Sequence, residues 1–112
     1  MPTTTGLQVT EKQFTQQIAD LARFLGYKYY HPWLSIHSPR GFPDICLVKG
    51  KRLIFAELKT DKGVLSPHQI EWLDALKETG KVEVYVWRPA DFDGIAEILR
   101  QEGGTDEYKM AA

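Results

Sequence analysis

Apolar residues Phe14, Ile18, Leu21, Ala22 and Leu25 recur at three- and four-residue intervals, the period of one helical face. Thr10 followed by Gln13 is a capping-box pattern, and Gly26 supplies a stop, so the spacing predicts a helix over 11–25. The stretch "YKYYHPWLSIHSPRGF" is aromatic and rich in turn residues, which predicts a strand near 27–31 and an irregular loop to 43. Two apolar runs follow, near 44–49 and 52–59, with Gly50-Lys51 between them. Ser66 as N-cap and Pro67 at the first helical position open a second helix that closes at Gly80. "KVEVYVW" alternates strictly and predicts a strand near 82–88, ended by Pro89. "DFDGIAEILRQ" reads as a short last helix capped by Asp91 or Asp93. Residues 1–9 read as a flexible lead-in and 102–112 as a flexible tail without apolar periodicity, leaving one domain over 10–101.

The order α-β-β-β-α-β-α places an α/β fold here. Three consecutive strands suggest a meander, and a fourth arriving after a helix makes a mixed four-stranded sheet flanked by helices. A chain of 112 residues, 43% hydrophobic and 26% charged, suits one soluble domain with one core. No apolar run approaches the ~20 residues of a membrane span, and the first ten residues lack the regions of a signal peptide. With a lone Cys46 in a strand, the expected setting is intracellular and cytoplasmic, with no membrane association.

The net charge of −1 does not by itself mark a polyanion binder. Its distribution changes the picture: residues 28–62 carry seven Lys/Arg against three acids, and the rest of the chain carries seven against twelve. Within that basic segment lie acids that a buried hairpin does not need. If Gly50-Lys51 forms a two-residue turn, Lys49 faces Arg52, and counting outward puts Asp44 opposite Glu57. Cross-strand partners share a face, and Lys59, two residues beyond Glu57, shares it as well. Two carboxylates that close disfavour each other's ionisation, and a divalent cation removes the conflict. Oxygen ligands suit Mg²⁺, with Mn²⁺ as substitute, and an adjacent amine can orient water, so the parts fit metal-assisted phosphodiester hydrolysis. On the first helix, at about 100° per residue, Glu11 falls within roughly 60° of Phe14, Ile18, Ala22 and Leu25. An inward-facing acid at a helix start can reach the sheet edge and complete a metal site. A glutamate there also suits the helix dipole, so the role of Glu11 stays open between metal ligand and dipole partner.

The ordered set "GFPDICLV", "FAELK", "SPHQIEWLDAL" and "VYVWRP" resembles the stand-alone VRR-NUC branch of the PD-(D/E)xK nuclease superfamily, as found in phage-encoded proteins, over residues 10–100. The resemblance implies a restriction-endonuclease-like core and a Mg²⁺-dependent endodeoxyribonuclease. It implies metal binding by Asp44, Glu57 and the backbone carbonyl of Leu58, a water positioned by Lys59, and Glu11 as the first-helix acid. Gln69 matches a glutamine near the family's site, although Ser66 and Gln69 also form a capping box. The minimal members resemble Holliday-junction resolvases, which implies branched DNA as partner and a homodimer inside a phage-infected or bacterial host cell. The usual products are a 5′-phosphate and a 3′-hydroxyl.

Arg40 and Lys62 flank the hairpin and are candidates for phosphate contacts. Tyr29, Tyr30 and Trp33 serve either an interface, stacking on DNA, or the core. His31, His37 and His68 lack zinc-ligand spacing, and no glycine loop for a nucleotide cofactor is present. Two other readings remain: a nucleic-acid-binding module without activity, and a small α/β interaction protein whose hairpin acids pair with Lys59 and Arg52.

Overall fold

Capping chemistry sets where the first helix begins. In the computed structural model, which describes residues 8–32 and 39–101, α1 runs Glu11–Phe24. Thr10 Oγ1 accepts from Gln13 N at 3.0 Å and Gln13 Oε1 accepts from Thr10 N at 2.9 Å, the reciprocal box the sequence predicts. Val9, expected in the flexible lead-in, instead packs against the core, at the position a hydrophobic staple uses. Residues 1–7 of the lead-in, the tail, Trp33 and His37 lie outside the described residues.

The strands are β1 (Lys28–Tyr30), β2 (Ile45–Lys49), β3 (Arg52–Leu58) and β4 (Glu83–Trp87), joined in one sheet of order β1-β2-β3-β4. The first three pair antiparallel, and β4 joins β3 in parallel after the crossover helix α2 (Pro67–Glu78). Lys49 pairs with Arg52 as the turn arithmetic requires. Gly50 sits at φ +58° and, among the described residues, no non-glycine residue has positive φ, so the turn takes the form that needs glycine only at its first central position. A short 3-10 turn, Pro89–Asp91, leads into α3 (Phe92–Arg100). Asp91 stands at the N-cap, but its carboxylate is not used on that helix; Oδ2 accepts from Arg88 N at 3.1 Å.

Alternation sorts the sheet into two faces. Ile45, Leu47, Ile54, Ala56, Leu58 and Trp87 form one, packed with Phe14, Ile18 and Ala22 of α1 and Ile95 and Leu99 of α3. Each large buried side chain there contributes roughly 1.5–3 kcal/mol by leaving water. The other face carries Cys46, Phe55 and Glu57 and meets α2. There Phe42 bridges the two elements edge-on, its ring 5.8 Å from Phe55 and 5.0 Å from Trp72.

One polar system lies inside the core and went unread in the sequence. Arg52, 4% exposed, donates from Nε and Nη2 to both carboxylate oxygens of Glu83, each at 2.6 Å. Its Nη1 reaches the Tyr27 hydroxyl at 2.7 Å, Ile98 O at 2.9 Å and Gln101 O at 3.1 Å. Tyr85 donates to Glu83 Oε1, and Tyr27 donates to Leu99 O. Arg52 is therefore committed to β4 and the end of α3, which corrects the expectation that it could pair with the hairpin acids.

Candidate active site

The hairpin register carries Asp44 to the open end of β2, one residue beyond the last paired position, Ile45 with Ala56. Two packing features hold it there. Pro43 is fully buried, and Gly41 adopts φ +91° with its backbone pressed onto the start of α2. A Cβ at Gly41 would stand 2.4 Å from the carbonyl carbon of His68, so any other residue would push the loop off the helix. The segment bearing Asp44 is thus keyed to the segment bearing Gln69.

Asp44 Oδ2 accepts from Leu58 N at 2.8 Å, closing the hairpin with a side chain where the backbone ladder ends. Lys59 N donates to Trp87 O at 3.0 Å on the opposite edge of the same strand, and the strand itself ends at Leu58 instead of 59. In an extended strand a residue's N–H and C=O share a side, so the Leu58 carbonyl faces the edge that Asp44 occupies.

Glu57 is only 2% exposed. Its Oε2 accepts from Gln69 Nε2 at 2.8 Å, while Gln69 Oε1 accepts from Ser66 N at 2.8 Å. One amide thus caps α2 through its oxygen and contacts Glu57 through its nitrogen. Burial pushes the Glu57 carboxyl up to about 8; the Asp44 charge and a carboxyl–carboxyl hydrogen bond add to the rise, Lys59 opposes it, and Glu11 adds a smaller share. That carboxyl–carboxyl bond exists only while one acid carries a proton. With both ionised, Glu57 Oε1 has no donor. It and Trp87 Nε1, which lies in the core, are buried side-chain atoms without a hydrogen-bond partner among the described residues.

Asp44 and Glu57 thus share one end of the hairpin, and the Lys59 charge is felt at Glu57 without an ion pair to either acid. Glu11 is exposed at the first turn of α1 and close enough for its charge to register at Glu57. Arg40 and Lys62 are exposed in turns before β2 and after β3. Tyr29 is half-buried beneath Arg23, whereas Tyr30 is 62% exposed at the sheet edge.

The donor chemistry fits a hard cation. Among the described residues no three His, Cys, Asp or Glu side chains gather at one point. The protein's share would be two carboxylates and the Leu58 carbonyl, a sparse oxygen set of the kind Mg²⁺ accepts because it keeps several waters. The unpartnered, buried Glu57 oxygen is the observation that asks for such an ion. Also among the described residues, no helix is long and apolar enough to cross a membrane.

A mixed sheet with paired acids at the end of its central hairpin is the build of a nuclease domain. A model of the VRR-NUC domain matches residues 8–90, and the chain belongs to the VRR-NUC family. Among solved structures it is similar to a VRR-NUC domain protein, with a TM-score of 0.66, 16% identity, and 84% of this chain and 88% of the other covered. It is also similar to Hjc, a Holliday junction resolvase of Archaeoglobus fulgidus, with a TM-score of 0.54, 23% identity, and coverage of 70% and 69%. At those identities the likeness is one of fold. Among curated proteins none matches the chain by sequence.

Proposed function

We propose that the protein is a Mg²⁺-dependent DNA endonuclease that hydrolyses phosphodiester bonds in branched DNA and works as a homodimer inside the cell. The observation that carries this reading is the buried Glu57 oxygen left without a donor beside Asp44. Asp44, Glu57 and the Leu58 carbonyl would hold the ion, with Mn²⁺ as a substitute. Bound there, the cation would supply a Lewis acid for the phosphate and ease ionisation of water.

The chain's own groups do the rest. Gln69 fixes the Glu57 rotamer from behind. Lys59 holds the attacking water and offsets charge that builds on the phosphoryl oxygens. Water adds to phosphorus and gives up its proton to solvent as the bond to the 3′ oxygen breaks, leaving a 5′-phosphate and a 3′-hydroxyl, the leaving oxygen taking its proton from solvent. Glu11 adds negative charge at the mouth of the site. Arg40 and Lys62 grip flanking phosphates, their cost of ordering offset by released counterions.

Likeness to a Holliday junction resolvase supports branched DNA as substrate. Symmetric cutting of two strands calls for two sites about a two-fold axis, which supports the dimer. The test is incubation of supercoiled, linear and four-way-junction DNA with Mg²⁺, Mn²⁺ or EDTA. Cleavage that needs the cation and favours the junction is expected. Absence of cation-dependent cleavage on all three would leave a binding module or an interaction protein instead.

A further inference from the structure

Lys59 has no partner in the paired acids to fix it, yet a lysine that orients water must be placed. A Cβ added at Gly63 would lie 3.2 Å from Lys59 Cδ and 3.5 Å from Lys59 Cβ, so the Gly63 backbone already lies alongside the aliphatic chain. Gly63 itself is held from outside: Arg88 Nη1 donates to Gly63 O and to Thr60 O, both at 2.7 Å, with Asp61 O 3.5 Å away. Asp61 returns a tie, its Oδ1 accepting from Ala90 N at 3.0 Å. Gly63 N closes the turn onto Thr60 O at 3.1 Å.

We propose that Arg88 is a positioning residue for Lys59, its guanidinium pinning the 60–63 loop so that Gly63 walls the lysine stem and directs the amine toward Asp44 and Glu57. A planar guanidinium suits this work because one nitrogen can satisfy two carbonyls of a tight turn at once. Arg88 follows β4 directly and Lys59 follows β3 directly, so the parallel pairing that ends at Leu58 and Trp87 sets the distance between them. The catalytic consequence rests on the nuclease reading above; the geometry of the clamp does not.

The test uses the full chain, a four-way-junction DNA and a double-mutant cycle between Arg88→Ala and Lys59→Ala. Arg88→Ala is expected to slow single-turnover cleavage about tenfold while DNA affinity in EDTA changes less than about threefold. In the Lys59→Ala background the same substitution should slow cleavage less than about twofold further, because the residue it acts through is gone. Gly63→Ala, which leaves Arg88 intact and crowds the Lys59 stem and the Thr60 hydroxyl, each 3.2 Å from the added Cβ, should slow cleavage and be equally silent beside Lys59→Ala. Arg88→Lys should fall between parent and alanine.

A readout independent of cleavage is acylation of Lys59 by a limiting N-hydroxysuccinimide ester, measured by peptide mass spectrometry against exposed Lys81. Arg88→Ala should raise Lys59 labelling about threefold with Lys81 unchanged and the protein still folding cooperatively. Losses that multiply in the double variant, or unchanged cleavage and labelling in Arg88→Ala, would overturn the proposal. A parent protein that cuts no DNA would sink the nuclease reading, and the labelling would then decide the clamp alone.

Discussion

Gln69 donates to Glu57 across the gap between α2 and β3 at 2.8 Å while the oxygen of the same amide caps the helix that carries it. The first turn of α2 and the orientation of the buried acid are therefore set by one side chain. Separating the two roles is possible with the right pair of variants. Ser66→Ala removes only the Oγ that receives Gln69 N, and should lower stability by about 1 kcal/mol with little effect on cleavage. Gln69→Glu keeps an oxygen for Ser66 N but faces Glu57 with an acid, and should slow cleavage far more than it lowers the unfolding midpoint. Equal effects of the two substitutions on cleavage would show that Gln69 serves the cap alone.

Glu57 makes the metal-free protein sensitive to alkali. Its carboxyl is raised from 4.5 to about 8 by burial first and by Asp44 next, so between those values the folded protein keeps a proton that the unfolded chain has released. Stability then falls as pH rises through this window, and the full cost is present above it, of the order of a few kcal/mol at about 1.4 kcal/mol per unit. Glu57→Gln should unfold at a higher temperature than the parent near pH 9 and at about the same temperature near pH 4. Adding Mg²⁺ at the higher pH should narrow the gap, because the ion selects the ionised parent. Calorimetry across pH that shows no difference between the two proteins would count against a buried, strained acid.

Asp44 does two jobs that differ in what replaces them. Asparagine can still accept from Leu58 N, but it brings no charge to a cation. Asp44→Asn should therefore fold with nearly parental stability and slow cleavage roughly a hundredfold or more. Asp44→Ala should do both kinds of harm, since the Leu58 amide at 2.8 Å loses its acceptor, a loss of about 1–3 kcal/mol. An asparagine variant that cuts DNA as fast as the parent would disprove the metal assignment.

The Arg52–Glu83 pair should matter to folding and not to chemistry. Arg52→Met strands Glu83 in the core without its counter-charge, and a loss of about 3–5 kcal/mol in urea unfolding is expected. Replacing both partners with apolar residues of similar size should recover much of that loss. A single substitution costing less than about 1 kcal/mol would mean that the pair is better hydrated than its burial indicates.

Legibility in the sequence followed the range of the interaction. The register of the hairpin could be counted because Gly50 fixes the turn and every later pair follows from it, which is how Asp44 and Glu57 could be set opposite each other. Both capping boxes were readable because their partners lie three residues apart. Arg52 with Glu83 was hidden, since their meeting depends on how a parallel strand docks after a whole helix, a length the local pattern does not encode. Arg88 was hidden for the same reason, its targets being backbone carbonyls of a distant turn. Glu11 sat at the right helical angle, but a first-turn residue can lie on the inner face and still project past the sheet into solvent. Of the two caps the sequence offers, Asp91 and Asp93, Asp91 stands at the N-cap, and its carboxylate turns to the Arg88 amide because a 3-10 turn intervenes before α3.

Arg52 and Leu58 stand at opposite ends of β3, six residues and about 20 Å apart. Because Gln101 O is tied to Arg52, anything attached past residue 101 joins the domain at the end remote from the acids. A second folded unit could be spliced there, as a passenger or a targeting module, and the strand itself would act as the spacer that keeps it clear of a bulky polymer bound at the other end.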